Sequence, residues 1–404
     1  MKRNRSLSSL LWVMLFDHTS LNVIFPVLTL LFFDANSRLF AADTSHAVRS
    51  LWYGLFISIP NAVNFFATPL LSALSDVYGR KKLLIVGTFG ALLYSSLAGF
   101  AVLYGSLSLL FLSCILRGIF SRTNPIAQAV IGDISPPDKK VIYMGYLQTA
   151  ISMGAFLGPL IGGFFAHTVY FKQLNFSLPL FIAACFALIS CVLVFILFRE
   201  TFTKKAFVSP WQMMRWQNIR PVLLDRRVVK ISTVLLLSQI SWSLYYQFIP
   251  PIIKMLLHAD AHMIGLFVGL IAFWLAIATA FGIRFLDSWM NPRQMLRFSL
   301  WLVFLGTLLT LFSFYQHSLS LLWIAAIPVA VGDVVAFSCL TTSYSDVVQP
   351  EEQGRVMGVC FIVIALVWML TGLVGSAMMS VHTLLPLIVA PIGIVAALVL
   401  TLEK

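Results

Sequence analysis

Long apolar segments separated by short polar stretches recur along the whole chain. Each is about 20 residues long or longer, which is the length a helix needs to cross ~30 Å of hydrocarbon. There are twelve such segments, at 7–33, 51–74, 83–104, 107–131, 142–166, 178–198, 229–252, 263–286, 295–315, 319–343, 356–379 and 384–402. The pattern predicts an all-α integral membrane protein with twelve transmembrane helices.

The composition agrees with a membrane protein and argues against an enzyme. Of the 404 residues, 60% are hydrophobic and 10% are charged, whereas a soluble domain carries about 25% charged residues. The sequence contains neither a GxxxxGK(S/T) phosphate-binding loop nor an HExxH zinc motif. The five cysteines lie inside predicted spans without ligand spacing. We therefore expect no enzymatic activity, no metal and no cofactor, with an ion gradient or the solute's own gradient as the energy source.

The basic residues divide unequally between alternate loops. If both termini are cytoplasmic, 21 of the 27 Lys and Arg residues lie on the cytoplasmic side and four lie on the opposite side. This bias indicates the orientation by the positive-inside rule. It also explains the net charge of +12, so nucleic-acid binding is not expected. Because the loops are short, we expect a multi-pass protein of a bacterial inner membrane with both termini in the cytoplasm.

A long basic connection divides the chain into two halves. We predict a six-helix bundle at 1–198, a cytoplasmic linker at 199–228 and a second six-helix bundle at 229–404. The segment 133–145 aligns without gaps on 346–358, with Asp, Pro, Met and Gly coinciding. Such duplicated bundles are typical of secondary transporters, which bind solute near the bilayer midplane. We expect a monomer whose partners are the lipid bilayer and a small-molecule substrate.

The loop between the second and third spans carries a motif. The segment 72–82 reads SALSDVYGRKK, in which the glycine permits a tight turn. It resembles the GxLxDRxGRR loop of the major facilitator superfamily, with a serine and a valine in place of the usual first glycine and first arginine. The resemblance implies a conformational gate at the cytoplasmic ends of the second to fourth spans, formed by Asp76, Gly79, Arg80 and Asp133.

The fifth span contains small residues at four-residue spacing. Gly154, Gly158 and Gly162 have this spacing, and Pro159 and Gly163 accompany them. Generic small-residue packing accounts for the glycines but not for the proline among them. The run resembles the GxxxGPxxGG motif of the drug:proton antiporters. In addition, the first span has LFD at 15–17 and a proline nine residues later, which resembles the opening of the tetracycline-efflux proteins.

Four charged residues lie well inside predicted spans, away from the ends of those spans. They are Asp17, Arg117, Arg122 and Asp333. Each charge costs about 2.5–3.5 kcal/mol on insertion scales, so such residues are functional candidates. Burial favours the neutral carboxyl and a nearby guanidinium favours the carboxylate, and we therefore expect these residues to couple transport to protons. Structural pairing is the alternative for the two carboxylates. For Arg122, the alternative is an ion pair or a side chain that reaches toward the cytoplasm.

Polar and aromatic residues within the spans are candidates to line a solute cavity. Arg117, Ser121 and Asn124 share one helical face with Gln128, because their spacing follows the helical period. The full set expected at the cavity is Asn22, Ser121, Asn124, Gln128, Gln239, Trp242, Tyr245 and Tyr246. Aromatic and amide groups suit an amphipathic organic solute, although aromatic stripes also occur in plain helix packing.

The motifs and the resemblance together imply proton-coupled efflux of an amphipathic small molecule by alternating access. Two other functions on the same fold stay open. One is proton-driven import of a nutrient or a siderophore-like solute, and the other is ligand sensing without transport.

Overall fold

The structure is a computed structural model that describes residues 2–34, 37–41, 43–120, 123–136, 139–166, 175–201, 225–346 and 353–402. These described residues contain fourteen α-helices. The helices are α1 (Lys2–Phe33), α2 (His46–Tyr78), α3 (Arg80–Leu103), α4 (Leu107–Phe120), α5 (Thr123–Ile134), α6 (Lys140–Ala166), α7 (Leu178–Leu197), α8 (Arg226–Leu256), α9 (Ala261–Ile277), α10 (Ile283–Asp287), α11 (Pro292–Tyr315), α12 (Leu319–Asp346), α13 (Gln353–Val381) and α14 (Leu385–Leu402). A π-helical turn at Ala278–Gly282 joins α9 to α10.

The helices follow the predicted spans. α4 and α5 together occupy the fourth predicted span, and α9, the π-helical turn and α10 together occupy the eighth. In the part of the chain that the structure describes, ten helices are long and apolar enough to cross a membrane. The two further predicted spans correspond to α2 and to the α4–α5 pair. The predicted fold class, an all-α membrane protein, is confirmed.

Large apolar side chains project outward from many helices. Phe195 and Ile196 near the end of α7 are 70% and 68% exposed, and Trp301 of α11 and Ile324 of α12 are exposed as well. Soluble proteins rarely expose contiguous apolar surface of this kind, whereas hydrocarbon contacts it without cost. The chain is therefore a multi-pass membrane protein whose outward apolar side chains face lipid.

The helices group into two compact units. Unit 1 comprises Met1–Thr44, Ala62–Met213 and Ala259–Gly269, and unit 2 comprises Ser45–Asn61, Met214–His258 and Leu270–Lys404. Each unit takes most of its residues from one half of the sequence and one segment from the other half. Helices α2 and α9 are each divided between the two units.

Unit 1 is built around α1. An apolar cluster that includes Leu10 of α1 and Val130 of α5 fills one end of this unit. Further along α1, Ser20 Oγ donates to the carbonyl oxygen of Ala183 in α7 at 2.8 Å. Hydrogen bonds between helices support their association where water is absent. α1 is consequently held by apolar packing at one end and by polar contacts near its middle.

In unit 2, α8 packs closely against α14. Ser241 Oγ of α8 donates to the carbonyl oxygen of Ala390 at 2.5 Å. Gly393 lies one turn later in α14, and a Cβ atom at this glycine would lie 3.0 Å from the carbonyl oxygen of Leu237. Small residues and hydroxyl groups therefore allow these two helices to approach closely.

Candidate functional site

Asp17 lies in the middle of α1 and is buried inside unit 1. It is 6% exposed, and Thr123 Oγ1 of α5 donates to its Oδ2 at 2.5 Å. The Nδ1 atom of His18 lies 3.9 Å from the same oxygen. A buried carboxylate needs compensation of this kind, because an isolated charge in apolar surroundings is costly. The structure thus places a predicted proton-coupling residue beside a hydroxyl donor and an imidazole.

His18 was not recognised from the sequence as a site residue. Its side chain is 12% exposed, and its Nδ1 atom is buried without a hydrogen-bond partner among the described residues. Consecutive residues of a helix do not face each other, so adjacency to Asp17 did not indicate contact. A usable signal was nevertheless present, because an ionisable residue inside an apolar span is uncommon.

Arg117, the arginine expected to tune the carboxylates, lies in the last turn of α4 and is half-buried. Tyr94 of α3 interacts electrostatically with both Arg117 and Asp17. Three helices therefore contribute an arginine, a phenol and a carboxylate to one polar region of unit 1. Ser121 and Arg122, which the sequence places next to this region, lie outside the described residues.

Three of the amides predicted at the cavity lie on α1 and α5. Gln128 Nε2 donates to Asn124 Oδ1 at 3.2 Å, so the two residues share one face of α5. Gln128 is exposed and Asn124 is half-buried. On α1, Asn22 Nδ2 donates to the carbonyl oxygen of His18 at 2.8 Å. These amides belong to the two helices that hold Asp17 and Thr123.

Glycines of the fifth span bring α6 against α1. A Cβ atom at Gly154 would lie 2.7 Å from the Cβ atom of His18. One at Gly158 would lie 2.7 Å from the Cβ atom of Asn22, and Gly162 faces α1 in the same way. Distances this short leave no room for a side chain on α6. The antiporter-like motif therefore lies directly against the turn of α1 that carries the buried carboxylate.

Each unit contains a further contact between small residues. In unit 1, a Cβ atom at Gly163 of α6 would lie 2.9 Å from the Cα atom of Gly265 in α9, and the carbonyl of Pro159 also lies against Gly265. In unit 2, Gly372 of α13 lies directly against the side chain of Ser58 in α2. These contacts explain why the first part of α9 belongs to unit 1 and the first part of α2 belongs to unit 2.

Asp333 lies in α12 of unit 2 and is 8% exposed. Within the described part of the chain, its carboxylate has no hydrogen bond and no ion pair. The neighbouring residue Gly332 packs on α11, where a Cβ atom would lie 2.6 Å from the carbonyl oxygen of Ser299. The second carboxylate is therefore buried beside a close contact between α11 and α12.

Aromatic residues of α8 and α13 form a group in unit 2. The rings of Trp242 and Tyr246 are stacked, with centroids 5.2 Å apart. The ring of Trp368 lies 6.1 Å from that of Tyr246. Trp368 was not predicted, because its contact joins distant parts of the sequence. Of the other predicted cavity residues, Gln239 and Tyr245 are buried in the same helix.

A buried amide follows this aromatic group in α8. Gln247 Nε2 donates to the hydroxyl of Ser243 and, at 3.3 Å, to Thr371 Oγ1. Tyr53 Oη of α2 donates to the backbone carbonyl of Gln247 at 2.8 Å. The side-chain Oε1 atom is buried without a hydrogen-bond partner among the described residues.

The predicted cytoplasmic gate lies at the turn between α2 and α3. Gly79 has a φ of +100°, a conformation that favours glycine. Arg80 Nε lies 3.2 Å from Asp133 Oδ2, and Arg80 Nη1 donates to Ser75 Oγ at 2.5 Å. The structure brings Gly79, Arg80 and Asp133 together. The side chain of Asp76 lies outside the described part of the chain.

Glu200 completes this turn and was not predicted. Its carboxylate accepts hydrogen bonds from the backbone N–H groups of Arg80 at 2.9 Å and Lys81 at 3.1 Å. The first N–H groups of a helix have no partner within the helix and attract anionic oxygens. Glu200 follows Arg80 by 120 residues, so no local sequence pattern indicates this contact.

The described residues contain no group of three or more His, Cys, Asp or Glu side chains suited to a metal ion. The polar groups that they do bring together are carboxylates, an imidazole, amides and aromatic rings.

Apolar helices of membrane-spanning length, with carboxylates buried among them, define a multi-pass membrane protein with a transporter fold. The chain belongs to the Major Facilitator Superfamily, whose family model matches residues 7–372. The family suggested by the sequence motifs is therefore confirmed.

Individual relatives match part of the chain. The tetracycline resistance protein, class H, of Pasteurella multocida is 27% identical over 206 residues, which are 51% of this chain and 47% of that protein. Multidrug resistance protein 1 of Bacillus subtilis (strain 168) is 32% identical over 149 residues, which are 36% of each chain. The chain thus spans half or less of the length of these curated relatives.

A solved structure matches almost the whole chain. The crystal structure of a D-xylose-proton symporter has a TM-score of 0.76 and 16% sequence identity, and the match covers 98% of this chain and 96% of that chain. At this identity, the likeness shows the fold alone.

Proposed function

We propose that the protein is a proton-coupled exporter of an amphipathic small molecule that works by alternating access. The observation that carries the proposal is the contact of the antiporter-like motif with the proton site. Gly154 and Gly158 of α6 lie against the turn of α1 that holds Asp17. Because no flexible side chain separates the two helices here, a displacement of α6 is transmitted directly to the buried carboxylate.

Asp17 is the proposed proton carrier. Its charged form is stabilised by the hydroxyl of Thr123, and burial favours its neutral form. A shift of α1 relative to α5 that lengthens this hydrogen bond favours proton uptake, and the reverse shift favours release. Arg117 acts through its electrostatic interaction with Tyr94 and adds positive charge that favours the carboxylate. Arg122 stays in the proposal as a further charged residue of the same span.

Asp333 is the second proposed proton carrier. Its carboxylate is 8% exposed, and among the described residues it has no cationic or hydrogen-bonding partner. Its charged form therefore lacks compensation in this structure. A solute that supplies a donor or a positive charge would stabilise that form and promote proton release.

The proposed solute-binding groups are aromatic rings and amides. In unit 2, the rings of Trp242, Tyr246 and Trp368 supply flat apolar surface, and the Oε1 atom of Gln247 supplies an acceptor. In unit 1, the amides of Asn124 and Gln128 supply donors and acceptors. Small-molecule sites typically combine much apolar surface with a few placed polar groups. The proposed substrate is accordingly an amphipathic organic molecule.

Export is proposed as the direction because of the resistance proteins to which the chain is similar. The antiporter-like glycines and proline favour the same direction. The fold does not decide between directions, since it is shared with a proton symporter.

We further propose that the protein acts as a monomer in a bacterial inner membrane, with both termini in the cytoplasm. The unequal distribution of basic residues supports this orientation. A proton gradient takes the place of a cofactor. The conformational gate at Gly79, Arg80 and Asp133 would stabilise one state of the cycle through the Arg80–Asp133 pair.

Inside-out membrane vesicles with an imposed pH gradient test this function, with tetracycline as the first probe and a panel of labelled metabolites as the second. Accumulation in vesicles with an acidic lumen, above the level of vesicles that lack the protein, supports proton-coupled export. Accumulation under the opposite gradient indicates proton-driven import. Binding to the purified protein without movement under either gradient indicates a sensor. The second and third outcomes contradict the proposal.

Proton release on addition of the transported probe tests the coupling residues. In weakly buffered solution, the purified protein should release protons when the probe binds. The double variant Asp17→Asn, Asp333→Asn should not, because neither amide can release a proton. Normal release by this variant would exclude both carboxylates as carriers.

A further inference from the structure

We propose that His18 is a second proton-holding residue, which shares the transported proton with Asp17 across the short gap between their side chains. The inference rests on the proton coupling proposed above and adds a residue to the same site. It is based on the position of the imidazole, its unpaired nitrogen and the packing around it.

The imidazole of His18 faces the carboxylate of Asp17. The distance between Nδ1 and Oδ2 is 3.9 Å, which is about 1 Å longer than an N–H···O hydrogen bond. A small rotation of either side chain brings the two atoms into hydrogen-bond contact. The pair is therefore arranged so that its hydrogen bond forms in one state and opens in another.

The unpaired nitrogen is the second observation. Nδ1 of His18 is buried and has no hydrogen-bond partner among the described residues. Leaving a buried polar atom unpaired is costly, and most such atoms in proteins have a partner. An unpaired nitrogen beside a carboxylate is expected of a group that pairs in only part of a cycle.

The packing of α6 holds the imidazole in this position. A Cβ atom at Gly154 would lie 2.7 Å from the Cβ atom of His18 and 2.8 Å from the backbone nitrogen of Thr19. The glycine therefore covers this side of α1 without offering a side chain that competes for Nδ1. A movement of α6 consequently acts on His18 as directly as on Asp17.

The groups around the pair come from five helices. α3 contributes Tyr94, and α4 contributes Arg117, which interacts with Tyr94. α5 contributes the hydroxyl of Thr123. In the described part of α6, the backbone of Gly154 lies against His18, and in α7 the carbonyl oxygen of Ala183 accepts from Ser20 Oγ. Tyr94 is the titratable residue that interacts with Asp17, and Arg117 is the charged residue that interacts with Tyr94.

The proton transfer within the pair conserves charge. The loaded pair is either an imidazolium beside a carboxylate or a neutral imidazole beside a carboxylic acid. Passing from the first form to the second breaks the N–H bond at Nδ1 and forms an O–H bond at Oδ2, and both forms have zero net charge. Loss of the proton to water leaves the pair with one negative charge. Loading the pair therefore removes a buried charge, which is costly to keep in apolar surroundings.

Infrared difference spectroscopy of the purified protein in lipid, recorded at varied pH without solute, tests this inference. The band of the protonated Asp17 carboxyl is identified by its loss in Asp17→Asn. In His18→Gln, the midpoint of this band should shift by about one pH unit, which is the scale of interaction between coupled groups. His262→Gln is the matched control, because His262 is an exposed histidine of unit 1 that packs on Phe164. It should leave the band unchanged.

An Asp17 band that titrates in His18→Gln as it does in the unchanged protein overturns the inference. If His18→Gln does not fold, Asp17→Asn provides the reciprocal measurement. The imidazole band of His18 must then shift, and an unshifted band overturns the inference. Because the spectra need no solute, they test the role of His18 independently of the proposed function. A shifted band without solute-dependent proton release contradicts the proposed function, and normal release with an unshifted band contradicts the role of His18.

Discussion

Among the described residues, each unit buries one carboxylate, and the two carboxylates differ in what surrounds them. Asp17 and Asp333 are 6% and 8% exposed, so burial alone does not separate them. Asp17 accepts a hydrogen bond from Thr123 and has His18 nearby, while no partner of Asp333 lies among the described residues. The first carboxylate is therefore held by a built polar site, whereas the second lacks such a site among the described residues.

The two units also differ at the turn between the second and third spans of each half. In the first half this turn leads into α3, and in the second half it leads into α11. The start of α3 is capped by Glu200, which is distant in sequence. The start of α11 is capped locally, since Asn291 Oδ1 accepts from the backbone N–H of Gln294 at 3.0 Å and Gln294 Oε1 accepts from the N–H of Asn291 at 3.2 Å. Unit 1 therefore ties its turn to the segment after α7 through a charged residue, whereas unit 2 closes its turn with a neutral capping box.

The largest expected difference between the units concerns the two carboxylates. Asp17→Asn should lower pH-gradient-driven transport to the level of vesicles without the protein, because the amide cannot exchange a proton next to the α6 contact. Asp333→Asn should lower the initial rate by about tenfold, equal to about 1.4 kcal/mol in activation free energy. Initial rates of probe accumulation in inside-out vesicles measure both effects. Thermal unfolding of the purified variants verifies that each protein is folded, and equal residual rates would remove the functional distinction drawn above.

A smaller difference is expected between the two glycine contacts. An added Cβ atom at Gly163 meets the backbone of Ala261 and Gly265, whereas one at Gly372 meets the side-chain hydroxyl of Ser58. Gly163→Ala should therefore destabilise the protein by about 1–3 kcal/mol, the usual cost of overpacking, and Gly372→Ala should cost less. Thermal unfolding in detergent measures both changes.

Gly145→Ala is the control for this pair, because among the described residues no atom outside its own helix backbone lies within 4 Å of the added Cβ position. It should be neutral or stabilising, since alanine is favoured over glycine inside a helix. Similar losses of stability in Gly163→Ala and Gly372→Ala would indicate that the backbone contact in unit 1 is no tighter than the side-chain contact in unit 2.

The smallest expected difference concerns the two helix caps. Glu200→Ala and Asn291→Ala should each cost about 1 kcal/mol, the usual effect of losing a cap. Only the first loss should diminish at high salt, because the interaction of a charged, exposed carboxylate with a helix start is screened. Thermal unfolding at low and high salt separates the two caps. A salt-independent effect of Glu200→Ala would mean that its hydrogen bonds act without a contribution from charge.

The fold was predictable because its main signal is local. A segment of about 20 apolar residues indicates a spanning helix without reference to any other part of the chain, and the short motifs identified the family. The glycines at 154, 158 and 162 were also found from spacing alone, since small residues on one face indicate a close helix contact.

Other parts of the site were not predictable, since they depend on contacts between distant residues. Trp368 and Glu200 enter only when helices far apart in the sequence meet. The position of the His18 side chain beside Asp17 depends on how α1 is oriented in unit 1 and on its contact with Gly154 of α6. The division of α2 and α9 between the units likewise follows from tertiary contacts, while the sequence places its boundary at the basic linker.

The cap at Glu200 has a consequence for how the protein is made. The backbone N–H groups at the start of α3 are synthesised 120 and 119 residues before the carboxylate that accepts their hydrogen bonds. At about 5–20 residues per second, translation leaves this turn without its cap for on the order of ten seconds. During this interval α3, α4, α5, α6 and α7 are synthesised, and the cap can form only when the residue that follows α7 has emerged behind them. A chain truncated before residue 200 would therefore lack the carboxylate that accepts from the start of α3.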